Sequence, residues 1–124
     1  IMSKQEIEIL DRIKKLYDNR LYKDSLALLH SSIYTFPNFK KIAYFYNLKG
    51  LINLALKDWK TCIEDFKNAI SIDNNFYHAH FNLGLAYYDL GDLEKSYEQN
   101  LKVLEIDKNN SRAKIALIEI LTFQ

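Results

Sequence analysis

The sequence predicts an all-α fold, a solenoid of helical hairpins with three repeated units and one last helix. Three observations carry that prediction. Gly50 and Gly84 lie 34 residues apart, and the text around them repeats at the same offset. Ile63-Glu64-Asp65-Phe66-Lys67-Asn68-Ala69-Ile70-Ser71-Ile72-Asp73 returns as Tyr97-Glu98-Gln99-Asn100-Leu101-Lys102-Val103-Leu104-Glu105-Ile106-Asp107. One Pro and three Gly in 124 residues leave long helices uninterrupted and argue against a turn-rich β fold. A period of this length marks an array of small helical units, none able to bury its apolar face alone. Hydrophobic residues make up 48% of the chain, enough for one continuous core.

The first unit runs from about 6 to 39, with a short insertion to 42. Its second helix carries Tyr22-Lys23-Asp24-Ser25-Leu26, which aligns with Trp59-Lys60-Thr61-Cys62-Ile63 and with Leu93-Glu94-Lys95-Ser96-Tyr97. Pro37 stands where that helix should stop. From Pro37 to Gly50 is 13 residues, against 10 from Asn74 to Gly84. The difference is close to one helical turn. It is read as an extra turn at the start of a helix from about Phe39 to Lys57, with Asn38 as its N-cap. The second unit covers 43–76. Asp58 caps its second helix, roughly 59–72, and Asp73-Asn74-Asn75 closes it. The third covers 77–110, with one amphipathic helix over 77–90 and a break at Gly91-Asp92. Asp92 N-caps the next helix over 93–106, and Asp107-Lys108-Asn109-Asn110 is the following turn. Residues 111–124 supply the first helix of a fourth unit. The expectation is seven helices and no sheet.

These residues resemble the tetratricopeptide-repeat (TPR) family. The third unit shows it best, through Asn82-Leu83-Gly84, Tyr87, Gly91 and Ser96. The second shows it through Lys49-Gly50, Trp59, Cys62, Asp65-Phe66, Ala69-Ile70 and Asp73. The first shows it through Leu16-Tyr17, Tyr22, Ser25, Leu29 and Pro37. The resemblance implies a right-handed solenoid of three repeats plus one C-terminal helix. Where two helices of a unit cross closely, side chains must be small, and Ser25, Cys62 and Ser96 fill that position. The facing position holds Gly50 and Gly84 but Ile13 in the first unit, so the first pair should cross more widely, or its first helix should be shifted. Lys49 stands where the family buries Leu, as does Arg12, and Lys57 replaces a turn Gly.

Several function classes find no support. Net charge is +1, so there is no broad basic field for nucleic acid, and the Tyr and Phe content is better explained by packing than by base stacking. No apolar run is long enough for membrane insertion. P-loop, dinucleotide, nucleophile-elbow and zinc patterns are missing, so neither an enzyme nor a cofactor is expected. His78 and His80 are two apart on a helix and point about 200° from each other, which prevents joint ligation of a metal. A packing role is expected for His80. Cys62 is accounted for by the small-residue requirement. Asn109-Asn110-Ser111 is a formal glycosylation sequon, but it also reads as an inter-repeat turn. A lone Cys is compatible with a reducing compartment, and an intracellular, cytoplasmic location is the expectation. Ile1 precedes Met2, so the start reads as that of an excised fragment.

The resemblance further implies a concave face lined by the first helix of each unit, where a peptide or helix is received. Carried over by position, that face offers Ile7, Leu10, Lys14 and Tyr17 from unit one. Unit two offers Tyr44, Asn47, Leu48, Leu51 and Leu54. Unit three offers His78, Phe81, Asn82, Leu85 and Tyr88, and the last helix adds Arg112, Ile115, Ala116 and Glu119. An apolar trough of Tyr44, Leu48, Leu51, Phe81, Leu85 and Tyr88 suits an apolar or amphipathic partner. One subclass of the family holds the C-terminal carboxylate of heat-shock chaperones with Lys and Asn, then Asn, then Lys and Arg. On units one to three those positions hold Leu10, Lys14, Leu48, His78 and Asn82. One unit later they hold Asn47, Leu51, Asn82, Arg112 and Ala116. Paired charges are lacking in both placements, so chaperone tails are not the expected partner. The last helix is apolar on several sides. This raises an alternative, self-association or a longer solenoid built through Ile120 and Phe123.

Overall fold

A computed structural model describes residues 1–123. Among them are seven α-helices and no strand: α1 (Lys4–Asp18), α2 (Tyr22–Thr35), α3 (Ala43–Ala55), α4 (Trp59–Ile72), α5 (Tyr77–Asp89), α6 (Leu93–Ile106) and α7 (Ser111–Thr122). A short 3-10 segment, Pro37–Lys41, lies between α2 and α3. The helices pair in order as α1–α2, α3–α4 and α5–α6, and α7 seals the end against α6.

Helix starts follow local chemistry. Ser3 and Glu6 form a reciprocal capping box on α1, the Ser3 Oγ accepting from the Glu6 N–H at 3.1 Å. Asp58 and Asp92 accept from the N–H groups of Thr61 and Lys95, which makes them the N-caps of α4 and α6. Asn110 caps α7 by accepting from the Ala113 N–H at 3.0 Å, so the sequon-like triplet is an inter-repeat turn.

The turn inside each hairpin has one common geometry. Arg20, Lys57 and Gly91 all adopt left-handed backbone, with φ of 63°, 62° and 81°. Each following N–H reaches back to a carbonyl five residues earlier: Leu21 to Leu16, Asp58 to Asn53 and Asp92 to Tyr87, all at 2.9 Å. This is the Schellman closure. Only the third hairpin places glycine there, where a left-handed residue carries no steric penalty.

The insertion differs from the expectation. No helix runs from Phe39 to Lys57, and Asn38 caps nothing. The extra residues form the 3-10 segment, Ile42 is extended (φ −112°, ψ 117°), and α3 starts at Ala43. Phe39 supplies the reason. It is fully buried and stacks on Phe45 at 5.3 Å between ring centroids, and the Phe36 ring, tilted against it, also lies at 5.3 Å. Turning the chain inward buries this aromatic against α1, α2 and α3, which an exposed extra turn would forgo.

The close crossings are real and differ in what demands them. Ser25, Cys62 and Ser96 are all fully buried or nearly so. At Gly84 a Cβ would stand 3.0 Å from Asn100 Nδ2 and 3.5 Å from the Ser96 carbonyl. At Gly50 it would stand 2.5 Å from the Phe66 ring, so Phe66, more than Cys62, dictates glycine there. Ile13 is fully buried, and α1 and α2 approach each other closely at fewer places than α3 and α4 or α5 and α6 do. Lys49, where the family resemblance implies a buried Leu, is met by an ion pair: its Nζ lies 2.7 Å from Asp65 Oδ1, while Asn53 Nδ2 donates to Asp65 Oδ2 at 2.8 Å.

Candidate functional site

The helices α1, α3, α5 and α7 frame one concave cavity of about 530 Å³. α3 contributes Tyr44, Asn47, Leu48 and Leu51, and α5 contributes His78 and Asn82. Arg112 enters from α7, and Lys14 and Tyr17 close the α1 side. Nine of the residues expected on the concave face thus share one space. Phe76, the residue before α5, also lines it and lies outside the expected set. Its position in a turn hides it from helical periodicity.

The floor is polar as well as apolar. Leu48 is only 1% exposed at its base. Beside it Asn82 Nδ2 donates to Asn47 Oδ1 at 2.9 Å, a buried side-chain bond that ties α5 to α3. The rim is aromatic: His78 stacks on Tyr77 at 4.3 Å and Tyr44 is 38% exposed. Burial raises the Tyr44 and Tyr17 phenols above their ordinary value, so both remain neutral donors at physiological pH. Lys14 bonds both Asp18 carboxylate oxygens at 2.9 Å, and this bond raises its pKa and holds it charged. Arg112 lies over the Phe81 ring at 4.2 Å, but Phe81 itself, expected in the trough, is 8% exposed and does not line the cavity.

Leu85 and Tyr88 do not join this cavity. They line a separate cleft of about 210 Å³ with Gly84, Asp89, Ser96, Asn100, Ala116 and Glu119. The expected continuous trough is divided, because Phe81 and Leu85 pack toward Val103, Ala113 and Ala116. Ile120 also departs from its expected role. It is 1% exposed, so it belongs to the interior of the α7 end and not to a sticky face. Phe123 is 68% exposed, alongside Ile115, Ile118 and Leu121.

Other chemically suggestive residues resolve into structure. His80 is buried between the Gln99 side chain (2.9 Å) and the Asn74 carbonyl (3.0 Å). Cys62 is fully buried, and burial, reinforced by Asp65, pushes its thiol up to about 12, far from a reactive thiolate. Among the described residues no three His, Cys, Asp or Glu side chains group as a metal site, and no helix is long and apolar enough to cross a membrane.

An all-α solenoid of helical hairpins is therefore the class of protein that the fold defines. Family models described as "TPR repeat" and "Tetratricopeptide repeat" match residues 50–91 and 77–110. Small glutamine-rich tetratricopeptide repeat-containing protein 2 of Saccharomyces cerevisiae is 32% identical over 69 residues, 56% of this chain but 20% of that protein. The chain thus spans about a fifth of that relative. Among solved structures, the first TPR of Spaghetti (RPAP3) bound to the HSP90 peptide SRMEEVD superposes with a TM-score of 0.85 at 18% identity, covering 98% of this chain and 94% of that one. The Yersinia enterocolitica type III secretion chaperone SycD, in complex with a peptide of the translocator YopD, gives 0.84 at 14% identity, covering 99% and 98%. This chain belongs to the tetratricopeptide-repeat family. Because one such neighbour holds a chaperone peptide, the expected exclusion of chaperone tails gains no support from the fold.

Proposed function

We propose that this chain is a protein-interaction module, not an enzyme, and that it holds a peptide or amphipathic helix of a partner in the central cavity. One observation carries the reading: four successive first helices contribute to a single cavity whose base is Leu48 and Leu51 and whose bonding groups are Asn47 and Asn82. Apolar side chains of the partner would settle on the leucines and tyrosines, and the two amides would meet its backbone. Neighbours of the same architecture are solved with peptides bound, which supports the class of ligand. The cations favour an amphipathic segment over an acidic tail, since Lys14 is already paired with Asp18 and Arg112 lies over Phe81. Peptides selected by display on the intact chain, then measured by calorimetry, test the reading. Tyr44→Ala with His78→Ala, both exposed positions, should weaken a selected peptide by about tenfold or more while helicity is kept. Parental affinity in the folded double variant would remove the cavity as the site. SRMEEVD serves as the competing probe, and tight binding of it would replace the amphipathic reading with an acidic-tail one.

A second reading, assembly through α7, is favoured by the exposure of Ile115, Ile118, Leu121 and Phe123. At the repeat offset Ile118 corresponds to Gly84, which α6 covers, so this face of α7 is the one a partner helix would occupy. Solution mass across a concentration series checks it: Phe123→Glu should shift any oligomer toward monomer, and a parent that is monomeric throughout would end the reading.

A further inference from the structure

The cleft that takes Leu85 and Tyr88 has a chemistry of its own. It lies where α5, α6 and α7 meet, with a volume of about 210 Å³. Leu85, Ala116 and the Tyr88 ring make an apolar wall. Two exposed carboxylates face it, Asp89 at the last residue of α5 and Glu119 on α7. Among the described residues neither is in an ion pair, and no basic side chain lines the cleft. The C-terminal end of α5 adds partial negative charge at the same place.

A second and independent observation is Asn100, which lines the cleft and is 2% exposed. Its Nδ2 donates to the Ser96 carbonyl at 2.9 Å, and that bond fixes the amide: turned over, Oδ1 would face a carbonyl. Held this way, Oδ1 is buried with no hydrogen-bond partner. Folded proteins rarely leave such an acceptor unpaired.

We propose that this cleft receives the side chain of a lysine or arginine from a protein partner. The aliphatic stem lies along Leu85, Ala116 and Tyr88, as long cationic side chains do on apolar surface. The charged head meets Asp89 and Glu119, and one of its N–H groups donates to Asn100 Oδ1. A neutral alcohol of the same length answers Asn100 but not the carboxylates. The cleft shares no residue with the central cavity, so the inference stands whatever that cavity binds.

The test is a heteronuclear NMR titration of the intact chain with n-butylammonium, and with n-butanol as its uncharged match. Saturable shifts of the Asn100 side-chain amide and of the Ala116 and Glu119 backbone are expected with the ammonium ion alone, while Asn47 and Asn82 stay still. Asp89→Asn with Glu119→Gln should weaken binding by about tenfold or more. Both substituted positions are exposed, and Glu119→Gln alone, expected to weaken binding in the same direction, replaces the pair if that variant fails to fold. Equal shifts with butanol, undiminished binding in the folded variant, or no saturable shift at Asn100 would each overturn the proposal.

Discussion

The first hairpin and the third solve one packing problem with different residues. In the third, Gly84 lets α6 approach, and Ser96 Oγ donates to the Gly84 carbonyl at 2.8 Å. In the first, Ile13 stands at that position, yet Ser25 Oγ still donates to the Ile13 carbonyl, at 3.2 Å. The hydroxyl-to-carbonyl bond and the left-handed turn survive while the glycines do not. The repeat is thus specified by a small residue on the second helix and by turn geometry. Glycine on the first helix decides only how near the pair comes.

Exchanging the two residues breaks this comparison most severely. Ile13→Gly empties a fully buried site. Losing such a side chain costs roughly 2–5 kcal/mol, and glycine inside a helix adds about 1 kcal/mol. Chemical denaturation should show a larger loss than Gly84→Ile or any turn substitution produces. A loss below about 1 kcal/mol would mean that α2 simply closes onto α1, as α6 does onto α5. The reverse exchange, Gly84→Ile, overpacks the third crossing against Asn100 and the Ser96 carbonyl. The expected loss is about 1–3 kcal/mol. A variant melting with its parent would show that α5 and α6 can separate to the spacing of the first pair.

The contrast also explains what the sequence could reveal. Gly50, Gly84, Ser96, Asp58 and Asp92 announce hairpins and caps because each answers a local rule: tight crossing or an unpaired helix N–H. The 3-10 segment is not legible, since only burial of Phe39 against three helices decides it. The site is half legible. Tyr44, Leu51 and His78 follow from the concave positions that the family resemblance implies. The division between Leu51 and Tyr88 depends on how α7 seats against α5 and α6, which no periodicity encodes. Ile120 escapes for the same reason: in a helix rich in apolar residues, packing alone chooses the buried side.

A smaller effect sharpens the comparison at the turns. Arg20 and Lys57 hold the left-handed conformation that Gly91 holds freely. The penalty for a side chain there is roughly 1–2 kcal/mol. Lys57→Gly and Arg20→Gly should each raise stability by about 1 kcal/mol, and Gly91→Ala should lower it by a similar amount. No atom lies within 4 Å of a Cβ at Gly91, so backbone strain is the whole cause in that variant. An unchanged or lowered melting point in Lys57→Gly would show that its side chain contributes contacts that outweigh the strain.

The middle hairpin adds the subtlest effect, at Asp65. Its carboxyl is 3% exposed, and burial raises its pKa above the ordinary 3.8, against the lowering pull of Lys49 and Asn53. The folded chain therefore keeps a proton on Asp65 at a pH where the unfolded chain has released it. Stability from this group is full below 3.8 and is lost as pH rises through the folded value. Because the ion pair offsets much of the burial, the net effect should be small. Other carboxylates titrate in the same range, so the useful quantity is the difference in unfolding free energy between parent and Asp65→Asn. As pH falls from neutral toward 4, the parent should gain on the variant, whose amide does not titrate. If the parent instead loses ground on acidification, the Lys49 pair outweighs desolvation. Asp65 would then be a carboxylate stabilised in its charged form, like an ordinary surface pair drawn inward.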